Sequence, residues 1–192
     1  MKKPDLLLAL GPVVKALEEI GIPYYLGGSV CSSAYGIPRA TLDIDIVADI
    51  HSSQVDEFVR VLKGEFYVDG EMMRRAIEDK STFNIIHLDT MIKVDFFIPE
   101  GSPYEKEIFN RRRKEMIGDS DEFYFASPED VILKKLDWYR RGGEISENQW
   151  NDVLGVLRVQ GNVIDTGYLN SWASRLGLKD LLDKAITQAQ EN

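Results

Sequence analysis

Tyr24-Tyr25-Leu26-Gly27-Gly28-Ser29, followed fourteen positions after its serine by Asp43-Ile44-Asp45-Ile46-Val47, is the most informative stretch of this chain. Tyr24 to Leu26 reads as a short strand that stops at two glycines, and Ser29 to Tyr35 as one or two helical turns closed by Gly36. A strand that runs through glycines directly into a helix start leaves N–H groups pointing outward, and glycine lets an anion approach the backbone. Gly27, Gly28 and Ser29, the last adding a hydroxyl donor, are therefore candidates for holding a phosphate; the bland alternative is a simple turn. In Asp43-Ile44-Asp45 the strand period of two puts both carboxylates on one face, while Ile44 and Ile46 enter the core. Such a pair suits magnesium, which takes one or two carboxylates together with phosphate oxygens and water. A merely solvated pair is the alternative in so acidic a chain.

Upstream, Leu6, Leu7, Leu10, Val13, Val14, Leu17 and Ile20 recur at helical spacing, with a break or kink expected at Gly11 and Pro12 and an end at Gly21. Downstream, Ser52 or Ser53 caps a helix carrying Val55, Phe58, Val59 and Leu62. Two strands follow, Phe83 to Ile86 and Ile92 to Phe97, joined through Asp89 and Thr90. Asp95 stands alone among the apolar residues of the second strand, where an unpartnered buried carboxylate would be costly. It pairs with Lys93 or another base, lies on the open side of a one-sided strand, or joins Asp43 and Asp45 as a third metal ligand. After a further extended piece, Phe123 to Phe125, Ser127 reads as an N-cap with Pro128 at the first helical position, and apolar stripes predict four helices to the end of the chain. The predicted organisation is an α/β (α+β) part over residues 1–126 and a helical subdomain over residues 127–192.

Composition narrows the function classes. A chain of 192 residues can bury a sizeable core, and a net charge of −9 argues against nucleic-acid binding over the whole surface. Arg111, Arg112, Arg113 and Lys114 form the one dense basic run, either a solvated helix end or loop, or a local phosphate-contacting rim. No stretch approaches the roughly 20 apolar residues needed to cross a bilayer, and the first residues lead into an amphipathic pattern rather than a secretory leader, so a cytoplasmic location is expected. Cys31 is the only cysteine, which excludes an internal disulfide and a cysteine-rich zinc site.

A Gly-Ser turn, a short helix, an Asp-x-Asp strand and a later strand with a third Asp resemble, in order and spacing, the nucleotidyltransferases of the DNA polymerase β superfamily. Residues 20 to 100 carry the resemblance best. Gly-Gly-Ser running through Arg39, Thr41, Asp43 and Asp45 is most similar to the small bacterial members that include the abortive-infection (AbiEii-like) toxin nucleotidyltransferases. The resemblance implies the nucleotidyltransferase fold, a mixed β-sheet flanked by helices with a C-terminal helical part. It also implies transfer of a nucleotide from a nucleoside triphosphate to an unidentified acceptor (an RNA end, a protein or a small molecule). Asp43, Asp45 and Asp95 would hold two magnesium ions, with manganese as a substitute, and Asp95 would take the acceptor's proton. Gly27, Gly28 and Ser29 would cradle the phosphates. Arg39 and Thr41 would contact them or hold the turn.

In the helical part the toxin-like relatives carry a Lys on one helix and an Arg/Asp cluster on the next. The counterparts here are Lys134 or Lys135, then Arg140, Arg141 and Asp152. A toxin–antitoxin-like protein partner follows by analogy, and an inactive nucleotide- or partner-binding module on the same fold is the alternative. Asp43-Ile44-Asp45 also resembles the motif of haloacid dehalogenase-type phosphatases, but there the apolar strand precedes the first Asp, whereas here it follows.

Overall fold

The computed structural model describes residues 4–118 and 121–191. They fall into two compact units, the first Met1–Gly27 with Thr41–Phe125, the second Gly28–Ala40 with Ala126–Asn192. The chain leaves the first unit between Gly27 and Gly28 and returns to it between Ala40 and Thr41.

The first unit holds helices α1 (Asp5–Ile20), α3 (Val55–Leu62), α4 (Gly70–Glu78) and α5 (Pro103–Arg111). Its strands are β1 (Tyr24–Leu26), β2 (Asp43–Ala48), β3 (Phe66–Tyr67), β4 (Thr82–His87), β5 (Lys93–Phe97), β6 (Arg113–Ile117) and β7 (Asp121–Phe125). They form one mixed sheet in the order β3-β4-β5-β2-β1-β7-β6, with β2 parallel to β5 and β1 parallel to β7. Helix α1 runs unbroken through Gly11 and Pro12. Proline in a helix interior costs about 3 kcal/mol, and burial of Leu7, Leu10, Val13, Val14 and Leu17 outweighs it, each such side chain contributing roughly 1.5–3 kcal/mol.

Around β2, β4 and β5 the core lies on one face of the sheet. Ile44 and Ile46 of β2, Val94 and Phe96 of β5, and Phe83 and Ile85 of β4 are all buried. Phe96 stacks on Phe83 with ring centres 4.7 Å apart and meets Phe58 of α3 edge-on at 5.7 Å.

The second unit is helical: α2 (Gly28–Tyr35), α6 (Pro128–Arg141), α7 (Glu147–Gln160), α8 (Thr166–Arg175) and α9 (Lys179–Gln190). Ser127 caps α6 by accepting from the Asp130 N–H, and Pro128 occupies its first turn. Inside this unit α2 packs on α6 and α7. The approach to α7 is close enough to require glycine, because a Cβ on Gly36 would stand 2.7 Å from the backbone nitrogen of Val156. Among the described residues no helix is long and apolar enough to cross a membrane.

Candidate active site

In the first unit the apolar face dictates the polar one. Pairing of β2 with β5 sets Ile44 opposite Val94 and Ile46 opposite Phe96, and a slip of one residue would turn this buried row outward. The same register puts Asp43 opposite Lys93 and Asp45 opposite Asp95, all four on the face away from the core. Strand β4 adds Asn84, directly opposite Asp95 on that face. Three carboxylates and a carboxamide are thus gathered by strand pairing alone.

Lys93 is the base that answers them. Its Nζ lies 2.7 Å from Asp95 Oδ2 and 3.8 Å from Asp43 Oδ1. The hydrogen bond to Asp95 holds the Lys93 ammonium above its ordinary pKa. The backbone of the carboxylate strand is tied at two further points: Gly27 N–H donates to the Asp45 carbonyl at 2.9 Å, and the Thr41 hydroxyl donates to the Asp43 carbonyl at 3.1 Å.

The donor set fits a divalent cation in kind, since Asp43, Asp45 and Asp95 offer hard oxygens on one sheet face. Among the described residues, however, no three His, Cys, Asp or Glu side chains are arranged as a metal-holding group. In this arrangement the positive charge beside Asp95 is that of Lys93.

The second unit carries a cluster built around two basic side chains. Ser29 sits in the first turn of α2, whose opening residue Gly28 has a φ of 54°. The segment after α2 is laid on α7 at Gly36 and Gly155, and Gln160 of α7 donates to the Tyr35 carbonyl at 3.0 Å. That contact delivers Arg39 to Asp152. Arg39 makes a forked pair, Nε to Oδ1 at 2.9 Å and Nη2 to Oδ2 at 3.1 Å, and Nη2 also donates to the Ser29 hydroxyl.

Lys135 reaches the same carboxylate from α6, 2.7 Å from Asp152 Oδ2, with both side chains buried. Burial pushes the Asp152 carboxyl up, but hydrogen bonds from Arg39 and Lys135 outweigh it and hold the group below its ordinary range. Arg39 and Lys135 thus bring two cations onto one carboxylate beside the first turn of α2. Of the two adjacent lysines, Lys135 is the one turned into this cluster, and Lys134 is half-buried.

Strand pairing therefore assembles Asp43, Asp45 and Asp95 within the first unit, and helix packing assembles Ser29, Arg39 and Lys135 within the second, around Asp152. Asn84 escaped the sequence reading. Its signal was a polar residue between Phe83 and Ile85, meaningful only once the register with Asp95 is known.

No known protein family and no curated protein matches the sequence. Solved structures do. The chain is similar to the solution structure of the antibiotic-resistance factor ANT(2'')-Ia, at 12% identity and a TM-score of 0.55, over 97% of this chain and 95% of that one. A crystal structure of ANT(2'')-Ia in complex with adenylyl-2''-tobramycin aligns at 10% identity and a TM-score of 0.54, over 90% of this chain and 97% of that one. The lincomycin-bound lincosamide antibiotic adenylyltransferase LnuA aligns at 15% identity and a TM-score of 0.50, over 81% and 98%. The chain shares the fold of these structures, the nucleotidyltransferase fold, a mixed sheet flanked by helices with a helical C-terminal part.

Proposed function

We propose that this protein is a metal-dependent nucleotidyltransferase, which moves a nucleoside monophosphate from a nucleoside triphosphate to an acceptor hydroxyl and releases pyrophosphate. The observation that carries this reading is the parallel pairing of β2 with β5, which sets Asp45 beside Asp95 with Asp43 on the same face. Asp43, Asp45 and Asp95 would hold the divalent cations, two magnesium ions or manganese in their place. Bound there, the ions would lower the acceptor's pKa and neutralise charge on the phosphates. Asp95 accepts the hydroxyl proton on a carboxylate oxygen as the new oxygen–phosphorus bond forms and the bond to pyrophosphate breaks.

Phosphate binding falls to the Gly27-Gly28-Ser29 turn, where the Ser29 hydroxyl and the first N–H groups of α2 are the donors. Arg39 and Lys135 supply positive charge, and their shared bond to Asp152 fixes both side chains in place. Thr41 holds the turn into β2 through the Asp43 carbonyl, and the half-buried Lys134, next to Lys135 on α6, is a further candidate phosphate contact. The run from Gly27 to Asp45 favours kinship with the abortive-infection toxin-like members, with a neutralising protein partner as its corollary. The small antibiotics named for the similar structures make a small-molecule hydroxyl one acceptor to test beside an RNA end or a protein side chain.

A second reading, a nucleotide-binding module without transfer, is favoured by one observation: Lys93 already neutralises charge at the carboxylate face. Calorimetry with each of the four nucleoside triphosphates, with and without magnesium, tests the proposal on the wild type and on Asp43→Asn. Magnesium-dependent binding that is lost in the variant, together with pyrophosphate release when an acceptor is supplied, is the expected outcome. Equal binding by both proteins would overturn the assignment, and binding without pyrophosphate release would favour the module.

A further inference from the structure

The carboxylate face poses an electrostatic problem before any ligand arrives. Asp45 and Asp95 are direct partners across β2 and β5, and like charges in directly opposed positions are destabilising. The arrangement is enforced by the core behind it, because Ile44, Ile46, Val94 and Phe96 leave the register no freedom. Lys93 is the only lysine or arginine in β2, β4 and β5, and the same register brings it to this face. Its ammonium takes one oxygen of Asp95 and lies within reach of Asp43.

The geometry also leaves the lysine able to move. Its side chain is 42% exposed against 21% for Asp95, so the ammonium sits at the solvent edge of the face on a flexible four-carbon stem. We infer that Lys93 is a tethered counter-cation: it holds Asp95 while the protein is metal-free, and it swings into solvent when a divalent ion binds the carboxylates. The inference rests on the metal-binding reading above and adds that metal affinity is set by competition with this side chain.

The test uses the full chain stripped with EDTA, titrated with manganese alone by calorimetry, in the wild type, Lys93→Met, Lys93→Arg and Asp95→Asn. Removing a unit charge so close to the ligands should tighten manganese binding at least about tenfold in Lys93→Met, while Lys93→Arg stays near the wild type. In EDTA, Lys93→Met should melt about 2–4 °C lower, as expected for loss of a partly exposed pair in a chain of this size. Saturating manganese should close that gap.

A measurement on the wild type stands apart from any folding defect of the variants: acetylation of Lys93, read by mass spectrometry, should be faster with manganese than in EDTA. Manganese affinity in Lys93→Met equal to or weaker than that of the wild type, or unchanged acetylation, overturns the role of Lys93. If Asp95→Asn still abolishes binding in that case, the metal reading stands. No manganese binding by either the wild type or Lys93→Met overturns both.

Discussion

Two carboxylates, one in each unit, accept bonds from basic side chains under opposite conditions. Asp95 lies on a sheet face where it is bonded by Lys93, whose side chain is 42% exposed; Asp152 is enclosed, its side chain 5% exposed, with Arg39 and Lys135 both bonded to it. An ion pair at the solvent edge contributes at most about 1 kcal/mol and is easily exchanged for another cation. A buried carboxylate is a fixture, because removing it strands the charges assembled around it. The first arrangement suits a place where ions come and go, and the second suits a scaffold that holds donors still.

The strongest way to break this contrast is Asp152→Asn. Lys135 would then be a buried ammonium without its counter-ion, and the expected loss is about 3–5 kcal/mol in denaturant unfolding. The substitution should also change the acid limb of stability. Asp152 has its pKa lowered by folding, so between its folded value and the ordinary one, about 3.9, the unfolded chain binds more protons. Its contribution is therefore complete above about pH 4 and is lost as pH falls through the folded value. The variant should show a shallower decline below pH 4 than the wild type. An Asp152→Asn protein as stable as the wild type would remove the distinction drawn between the two carboxylates.

A smaller effect is expected where the second unit is closed rather than charged. Gly36→Ala places a methyl group 2.7 Å from Val156 N and 2.8 Å from the Gly155 carbonyl carbon, both backbone atoms that cannot rotate away. Overpacking of this kind costs about 1–3 kcal/mol. Because Arg39 follows this contact in sequence, triphosphate binding should weaken along with thermal stability. A variant that loses stability with unchanged binding would show that the lay of residues 36 to 39 on α7 does not set the position of Arg39.

How much of this could be read from the chain depends on where the deciding force lies. The strands around Asp43, Asp45 and Asp95 were legible because their own residues alternate, and the start of α6 because Ser127 and Pro128 are local signals. Helix α4 was not, since only Met73, Ala76 and Ile77 are buried among acidic and basic neighbours. Strand β6 was not either: at the sheet edge its Arg113, Lys114 and Glu115 carry no apolar alternation, so the basic run divides between the end of α5 and the start of β6. The choice between Lys134 and Lys135 was beyond local reading, because the environment that selects Lys135 is Asp152 on another helix. The facing of Asp45 and Asp95 depends likewise on a register between distant segments.

The smallest expected effect sharpens the comparison most. Asp45→Asn keeps the shape of the side chain and removes one of two like charges held directly opposite each other, so in the absence of metal it should change stability by less than about 1 kcal/mol. A residue kept for folding would behave like Asp152, and its loss would be felt in the melting curve. A residue kept for a ligand tolerates substitution structurally and shows its cost only when the ligand is offered. Thermal melting of Asp45→Asn in EDTA, beside magnesium-dependent triphosphate binding, separates the two. Unchanged melting with lost binding is the outcome expected of a carboxylate kept for a ligand. Marked destabilisation would mean that the face of β2 and β5 is a structural ion network like that around Asp152.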